Sequence, residues 1–290
     1  MSDAVVPLAS VKDGLTRHAH TLFLFTKSDF KTTVFPITLF ALAASPSVRL
    51  SNLLQSLLWT WLHLLQFNVA NQLFSISEDL LNKADRPLPS NRISISSATR
   101  LRWVLVPLCW LQSYCYSHQL MCISMMLSLS FCVYNEGGHH AGHWFVRNLL
   151  NAWGLALFEM GATLVASNDP SRLHSTAILA TAISGSVYLT TFHAQDFKDV
   201  NGVRTIGRCT LPIVRPELAR LTMLVGMTLW SICLPMIWQL DLITTLMFSL
   251  LGVFVGYRFM ARTKVPDDQI SFYWYNVSNR TALFRVLRSY

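Results

Sequence analysis

The sequence predicts an all-α protein, a polytopic membrane helix bundle. Of its 290 residues, 52% are hydrophobic and only 13% are charged, and the mean hydropathy is +0.39. A soluble domain carries about 25% charged residues. The apolar residues are concentrated in runs close to the length of about 20 residues that a helix needs to cross a membrane. Polar and basic segments separate these runs, as expected of a chain that crosses a bilayer repeatedly.

Eight runs qualify as transmembrane helices. The segment from Trp103 to Asn135 contains no charged residue and is too long for one helix, so we predict a turn near residues 117–119. The segment 271–290 has aromatic residues but also three arginines. This favours an interfacial helix, with a ninth span as the alternative. The predicted spans are 32–48, 52–74, 98–116, 118–134, 148–167, 173–194, 217–239 and 241–259.

The basic residues predict how the bundle is oriented. We treat 1–290 as a single membrane domain, with 1–31 as a cytosolic or interfacial N-terminus and 265–290 as an interfacial tail. With a cytosolic N-terminus, 21 of the 23 Lys and Arg residues fall on the cytosolic side, and Arg49 and Arg172 fall outside. This agrees with the positive-inside rule. We therefore expect an integral membrane protein, in the endoplasmic reticulum, with both termini in the cytosol.

Two other classes of protein fit the composition poorly. The net charge of +8 is distributed between apolar runs, without the basic stripe and interleaved aromatics of a nucleic-acid surface, so we expect no nucleic-acid partner. The six cysteines are scattered and form no CxxC pair. They are typical of small buried side chains and do not indicate a disulfide framework.

Two acidic clusters follow apolar runs, and they carry the functional prediction. The first lies at 71–86, after the second predicted span, and Arg-Pro-Leu-Pro at 86–89 ends it. The second lies at 195–208, after the sixth predicted span, and is followed by Leu211 and Pro212. Proline interrupts helices, so both clusters should lie where helices give way to loops. The predicted orientation puts both on the cytosolic face, at matching places in the two halves of the chain.

The residue types in these clusters suit a metal ion and a diphosphate. Carboxylate and amide oxygens are the ligands that Mg²⁺ prefers, together with phosphate oxygens and water. Lys and Arg bind phosphate oxygens. The alternative is that the acids pair with local basic residues in solvated loops. The predicted Mg²⁺ ligands are Asn71, Glu78, Asp79, Asn82, Asp196 and Asp199; the predicted catalytic acids are Asp79, Asp85, Asp196 and Asp199; and the predicted diphosphate-binding residues are Lys83, Arg86, Arg147, Arg204 and Arg208.

The two clusters resemble the aspartate-rich motifs of the UbiA superfamily of intramembrane prenyltransferases. The first resembles that family's Asn-Asp-x2-Asp-x3-Asp motif followed by Arg-Pro, with Gln72 and Ser75 at the places of two usual acids. The second resembles its Asp-x3-Asp region, with Val203 at the place of the final acid. Further similar segments are 24–29, 134–136, 148–151 and 207–212. The resemblance implies a UbiA-type fold of eight or nine transmembrane helices around a central apolar cavity. It also implies Mg²⁺ as the cofactor and a prenyl diphosphate as the substrate.

The form of the clusters is closer to a fungal-type branch of the superfamily, that of membrane-bound class I terpene cyclases. This resemblance implies conversion of farnesyl diphosphate to a cyclic sesquiterpene. The alternative within the superfamily is a prenyltransferase that moves the prenyl group to an aromatic or other small acceptor. A third hypothesis, a non-catalytic membrane protein with a degenerate diphosphate site, rests on the missing acids.

Several other polar residues allow two interpretations. His139, His140 and His143 could chelate zinc or belong to a lid over the site. Glu159, inside a predicted span, could be functional or could bond to Asn151 or His63. His193 could support the second cluster or be a hydrogen-bonded core residue. Aromatic side chains expected in the cavity wall are Trp59, Trp61, Phe67, Trp110 and Tyr114.

Overall fold

The computed structural model describes residues 8–45, 48–205 and 207–284, and across these ranges it consists of helices and connecting loops without a β-strand. This confirms the predicted all-α class. The helices are α1 (Leu8–Thr26), α2 (Phe35–Ala44), α3 (Leu50–Phe74), α4 (Ile76–Asn82), α5 (Ile95–Tyr114), α6 (His118–Tyr134), α7 (Trp144–Ala166), α8 (Ser175–Thr191), α9 (Val200–Thr205), α10 (Leu211–Val214), α11 (Pro216–Ile237), α12 (Leu242–Ala261) and α13 (Val265–Phe284).

Seven of the eight predicted spans correspond to one long helix each, with ends that differ by a few residues. They are α3, α5, α6, α7, α8, α11 and α12. Among the described residues, four segments are long and apolar enough to cross a membrane: α7, α8 with the turn that extends it to Gln195, α11 and α12. The turn predicted near residues 117–119 lies between α5 and α6, where the Ser117 side chain accepts a hydrogen bond from the Leu120 backbone N–H. The number of crossings stays a prediction.

The first predicted span, 32–48, is interrupted. A helix that we did not predict, α1, leads into a 3₁₀ turn at Lys27–Asp29 and a π turn at Phe30–Val34 before α2 begins. Pro36 lies in the first turn of α2, where its missing N–H has no consequence for the helix. Such short π segments are frequent at functional sites, and this one contributes Thr32 and Thr33 to the cavity described below.

Helices α3 and α7 lie at the centre of one half of the bundle, with α2, α5, α6 and α8 around them. In the other half α11 and α12 pack closely, because Gly252 and Gly256 leave no room for a side chain against α11. The outward faces of α11 and α12 expose large apolar side chains such as Met247 and Leu250. These are the surfaces expected to face lipid.

Hydrogen bonds show which helix ends meet. At one end, Asn52 at the start of α3 donates to the Ser167 carbonyl oxygen after α7 (3.1 Å), and Ser117 donates to that of Pro170 (2.7 Å). Arg49 and Arg172 lie in the same connections. At the opposite end α4 packs against α9. Both acidic clusters therefore share one end of the bundle, as the charge pattern predicts; which compartment that end faces stays a prediction.

The C-terminal segment packs into the bundle. Helix α13 contacts α12 and α2, and Ser271, Tyr275 and Ser278 are buried. The Tyr275 hydroxyl lies 2.9 Å from that of Thr191 at the end of α8. Whether this segment is the interfacial helix that we predicted or a ninth span stays a prediction. Residues 1–7 and 285–290, which include both predicted cytosolic termini, lie outside the described residues.

Candidate active site

A cavity of about 640 Å³ opens at the end of the bundle that carries both acidic clusters. Its polar mouth is formed by α4, the start of α7, the turn after α8 and the loop after α9. Its deeper walls come from α3, α6, α7, α8 and α13 and are mainly apolar and aromatic. A polar mouth above an apolar interior fits an amphipathic ligand whose charged head stays at the membrane boundary.

The two clusters are held together by a close contact between two short helices. Helix α3 ends at Phe74, and Ser75 separates it from α4, so that Glu78 and Asp79 lie in the first turn of α4. On the other side, Gly202 of α9 lies against Asn82. A Cβ at position 202 would lie 2.3 Å from Asn82 Nδ2, so with any other residue at this position the Asn82 amide would have to move. Glycine at position 202 therefore lets α4 and α9 meet with the Asn82 side chain in this position.

Each acid of the site has a basic partner. Arg86 Nη1 donates to both carboxylate oxygens of Asp79, at 2.9 Å each. Arg147 donates to Asp196, and both side chains are buried. Two further ion pairs complete the set: Arg208 Nη1 lies 3.0 Å from Glu78 Oε2, and Lys198 Nζ lies 2.7 Å from Asp199 Oδ2. The Arg208 pair crosses between the two clusters.

Lys83 differs from these cations. Among the described residues, no carboxylate oxygen lies within 4.0 Å of its ammonium group, and it lines the cavity. Burial, followed by the neighbouring charge of Arg86, lowers the pKa of Lys83. Burial likewise raises the pKa of Glu78, although the charge of Arg208 opposes that shift. A cation that lines the cavity without an ion pair is a ready partner for an anionic ligand.

The donor atoms fit a Mg²⁺ ion that shares its ligands with a diphosphate. In the described ranges, no group of three or more His, Cys, Asp and Glu side chains is close enough to hold a metal by itself. However, Mg²⁺ commonly takes only one or two carboxylates and completes its octahedron with phosphate oxygens and water. Glu78 Oε2 is buried, and Arg208 Nη1 lies 3.0 Å from it without an aligned hydrogen bond. A carboxylate oxygen in this position suits a hard cation such as Mg²⁺.

Ten of the twelve site residues predicted from the sequence line the cavity. They are Asn71, Glu78, Asp79, Asn82, Lys83, Arg86, Arg147, Asp196, Asp199 and Arg208.

The structure does not bring Asp85 and Arg204 into the cavity wall. The Asp85 side chain is 69% exposed and lies 3.3 Å from Lys27 Nζ. Arg204 points outward from α9 and is exposed. Both residues lie near their motif in sequence, but the loop after Lys83 and the exposed face of α9 turn them towards solvent.

Residues that we did not assign to the site also line it. Asp29 ends the 3₁₀ turn that follows α1; Asn68 Nδ2 donates to it at 2.7 Å, and Arg86 Nη2 lies 4.0 Å away. Tyr134, Asn151 and Lys198 line the cavity as well. Three of these residues lie in the segments 24–29, 134–136 and 148–151, which resemble the UbiA superfamily: Asp29, Tyr134 and Asn151. That resemblance is the signal that could have identified them.

The deep part of the cavity is aromatic. Phe67, Phe131 and Phe158 form its wall, with ring centroids 5.1 Å apart for Phe67 and Phe131 and 6.0 Å apart for Phe131 and Phe158. Of the five aromatic residues predicted to line the cavity, the structure brings only Phe67 to its surface. The other four are not in its lining: Trp59, Trp61, Trp110 and Tyr114.

The remaining polar candidates have identifiable contacts. The Glu159 carboxylate accepts a hydrogen bond from Ser184 (2.6 Å), not from either predicted partner. His193 Nε2 lies 3.2 Å from the Ala219 carbonyl oxygen, as a hydrogen-bonded core residue does. His140 packs on Phe74, with ring centroids 5.7 Å apart. No group that could hold zinc occurs at the histidines in the described part of the chain; the lid hypothesis stays a prediction.

Comparison with known proteins decides the family. The model of the UbiA prenyltransferase family matches residues 33–278. The chain belongs to this family. It is an integral membrane enzyme built on the UbiA fold.

Relatives within the UbiA family bear the names of both cyclases and transferases. The chain is 34% identical over 273 residues to the fumagillin β-trans-bergamotene synthase of Aspergillus fumigatus, covering 92% of this chain and 93% of that protein. Two proteins of Hericium erinaceus are 26% and 27% identical, a diterpene cyclase and a polyprenyl transferase. They cover 92% and 87% of this chain, and 87% and 88% of their own lengths.

A solved UbiA structure shares the fold. The UbiA homologue of Archaeoglobus fulgidus, determined with DMAPP and Mg²⁺ bound, superposes with a TM-score of 0.66, covering 92% of this chain and 99% of its own. The sequence identity is only 14%. The likeness therefore establishes the fold and does not by itself transfer a ligand.

Proposed function

We propose that this protein is a Mg²⁺-dependent class I terpene cyclase that converts farnesyl diphosphate to a cyclic sesquiterpene. The single observation that carries the proposal is the joining of two acid–base clusters at the mouth of one apolar cavity, through the close contact of Asn82 with Gly202. The relative with 34% identity, named as a bergamotene synthase, supports the cyclase over other functions of the family.

The site residues would hold the diphosphate and assist its departure. Glu78, Asp79, Asp196 and Asp199, helped by Asn71 and Asn82, would hold Mg²⁺. A bound Mg²⁺ would supply positive charge to the leaving diphosphate. Lys83 is already unpaired, and Arg86, Arg147 and Arg208 would exchange their carboxylate partners for diphosphate oxygens. This preorganised positive charge lowers the barrier to ionisation, since it is located where negative charge develops.

The apolar cavity would then control the cation. The carbon–oxygen bond breaks, and its electron pair leaves with the diphosphate. A distal double bond of the same chain attacks the allylic cation and closes a ring. The product cation loses a proton to the departing diphosphate, which gives a neutral hydrocarbon. Meanwhile Phe67, Phe131 and Phe158 exclude water and present aromatic faces, each of which stabilises a nearby cation by about 0.5–2 kcal/mol.

Acceptor-dependent prenyl transfer is the second candidate. The relative from Hericium erinaceus named as a polyprenyl transferase, with 27% identity, favours it. Binding and ionisation would be the same in both reactions. They differ in whether the cation is captured by its own chain or by a second molecule.

We further propose that the protein resides in the endoplasmic reticulum membrane with the cavity mouth facing the cytosol. The distribution of basic residues supports this orientation, as does the presence of both clusters at the end opposite Arg49 and Arg172. A cytosolic mouth would give access to a water-soluble diphosphate headgroup.

The test is product analysis with microsomes that contain the protein. They are incubated with farnesyl diphosphate and Mg²⁺, with and without a phenolic acceptor, and volatile products and pyrophosphate are measured. A volatile hydrocarbon without acceptor supports the cyclase. A product only with acceptor supports the transferase. Pyrophosphate release in neither condition contradicts both.

A matched pair of variants connects this activity to the site. Asp79→Asn removes a buried acid of the cavity, whereas Asp85→Asn alters an exposed acid six residues away that lies outside it. We expect the first to lower product formation about 100-fold or more, because an essential charge is lost. The second should leave it within about twofold. Equal effects of the two variants would contradict the proposed site.

A further inference from the structure

On α7 the cavity lining ends at Phe158, which we take as the floor of the cavity. From Arg147 at the mouth to Phe158, the lining extends over eleven residues of one helix, about 16 Å at the rise of an α-helix. Leu64 of α3 also lines the cavity and belongs to the same apolar core as Phe158. An extended isoprene unit spans about 5 Å at ordinary single-bond lengths. The cavity depth is therefore close to three such units, and a fourth would have to pass Phe158.

Phe158 is supported from behind by Trp59. The two ring centroids are 6.3 Å apart, with the rings at 77° in an edge-on arrangement. Trp59 is completely buried and is not part of the cavity surface. It belongs to the same apolar core as Leu120, Leu127 and Leu157. An indole in this position prevents Phe158 from swinging away from the cavity.

Trp59 is itself fixed on three sides. Its indole N–H donates to the Ser113 hydroxyl at 2.9 Å, and its ring lies on that of His63 with centroids 4.0 Å apart. On the α7 side it touches Gly161. A Cβ at position 161 would lie 2.1 Å from Trp59 Cη2, so the indole already occupies the space that a side chain would need. The ring cannot retreat in any of these directions without breaking a hydrogen bond or moving a helix.

We propose that Trp59, acting through Phe158, sets the length of prenyl chain that the cavity accepts. Trp59 is thus a positioning residue that does not touch the substrate. It restricts the cavity to chains of about three isoprene units, and its removal opens the core beneath the floor to a fourth. This inference rests on the proposed binding of a prenyl diphosphate, but it does not require that the bound chain cyclise.

The test compares the affinities of two unreactive analogues. Farnesyl thiodiphosphate and geranylgeranyl thiodiphosphate are titrated with Mg²⁺ into the purified full chain in detergent. For the wild type, we expect the farnesyl analogue to bind at least tenfold more tightly. In Trp59→Ala the ratio should fall at least tenfold, because the longer chain gains a buried site for its last unit. The ratio is the readout, since simple loss of stability lowers both affinities together.

Three further variants keep the test decisive. Trp59→Leu fills part of the space and should shift the ratio in the same direction if Trp59→Ala does not fold. Phe158→Ala opens the floor directly and serves as the positive control. Trp61→Ala is the matched control: it removes an indole from the same helix, but one that bonds to Thr26 and lies outside the cavity lining. Its ratio should equal that of the wild type.

The outcomes separate this inference from the proposed function. A ratio changed by Phe158→Ala but unchanged by both Trp59 variants would overturn it, as would a wild type that binds the two analogues equally. A shifted ratio in a protein that makes no hydrocarbon from farnesyl diphosphate would support the inference and contradict the cyclase.

Discussion

The role of a charged residue in this site depends on where its charged group lies in the structure, more than on the sequence motif that contains it. Arg204 and Arg208 are four positions apart and were predicted to act alike. Arg208 is buried against Glu78 at the cavity mouth, whereas Arg204 is exposed. Buried charged hydrogen bonds contribute more than exposed ones, because water competes less for them.

The two arginines should therefore respond differently to the same substitution. We expect Arg208→Gln to lower kcat/KM for farnesyl diphosphate by about 10- to 100-fold, the equivalent of one charged hydrogen bond to the ligand. Arg204→Gln should change it less than threefold. Steady-state kinetics on the two variants in microsomes measures this. Similar losses in both would show that general positive charge, and not the built cavity mouth, binds the substrate.

Deprotonation of Lys83 should determine how kcat/KM falls at alkaline pH. Burial, followed by the charge of Arg86, lowers its pKa, so its ammonium loses its proton at a lower pH than an ordinary lysine does. Diphosphate binding should then decline as the pH rises through that lowered pKa. In Lys83→Arg the group stays protonated, and the alkaline limb of kcat/KM should move to higher pH. A limb that does not move would assign it to another group.

At the scale of helices, the close contact of α4 with α9 brings the two motifs together. Neither helix is longer than seven residues, and helices so short have little stability of their own. Their relative position depends on packing, above all on Asn82 against Gly202.

Gly202→Ala should therefore displace Asn82 or separate the motifs. The added methyl would overlap the Asn82 amide, so this side chain, a predicted Mg²⁺ ligand, must rotate away or the helices must move apart, at a cost of up to about 1–3 kcal/mol. We expect a loss of activity of at least tenfold, with a smaller fall in thermal stability. Gly185→Ala on α8 is the control, because its Cβ would make only an ordinary 3.8 Å contact. Activity retained in Gly202→Ala would mean that the motifs need not be this close.

For the whole molecule, sidedness can be measured with two native cysteines. Cys209 is exposed beside the second motif, and Cys115 is exposed at the opposite end, after α5. In variants that retain only one of them, a membrane-impermeant maleimide added to sealed microsomes should label Cys209 and not Cys115. Detergent should make both reactive, which controls for accessibility. The reverse pattern would place the cavity mouth in the lumen.

The sequence alone determined the class of this protein and most of the charged residues that line its cavity. Runs of about 20 apolar residues can satisfy their backbone in a bilayer only as helices, so seven predicted spans match single helices. Acidic and basic residues clustered at the ends of such runs indicate a functional site, because charged groups near the membrane interior are costly to desolvate. Ten of the twelve side chains predicted on this basis line the cavity.

Only the tertiary structure decided the rest, because those features depend on contacts between residues distant in sequence. Asp29 lines the site from the 3₁₀ turn that precedes the π turn at Phe30–Val34, and Asp85 lies outside the site because the loop after Lys83 turns outward. Trp59 was a candidate for the cavity wall because it is aromatic and lies in an apolar run. In the structure its indole lies behind the wall, in space that is available because Gly161 has no side chain. Sequence patterns specify which side chains are apolar or charged, whereas packing specifies which of them meet.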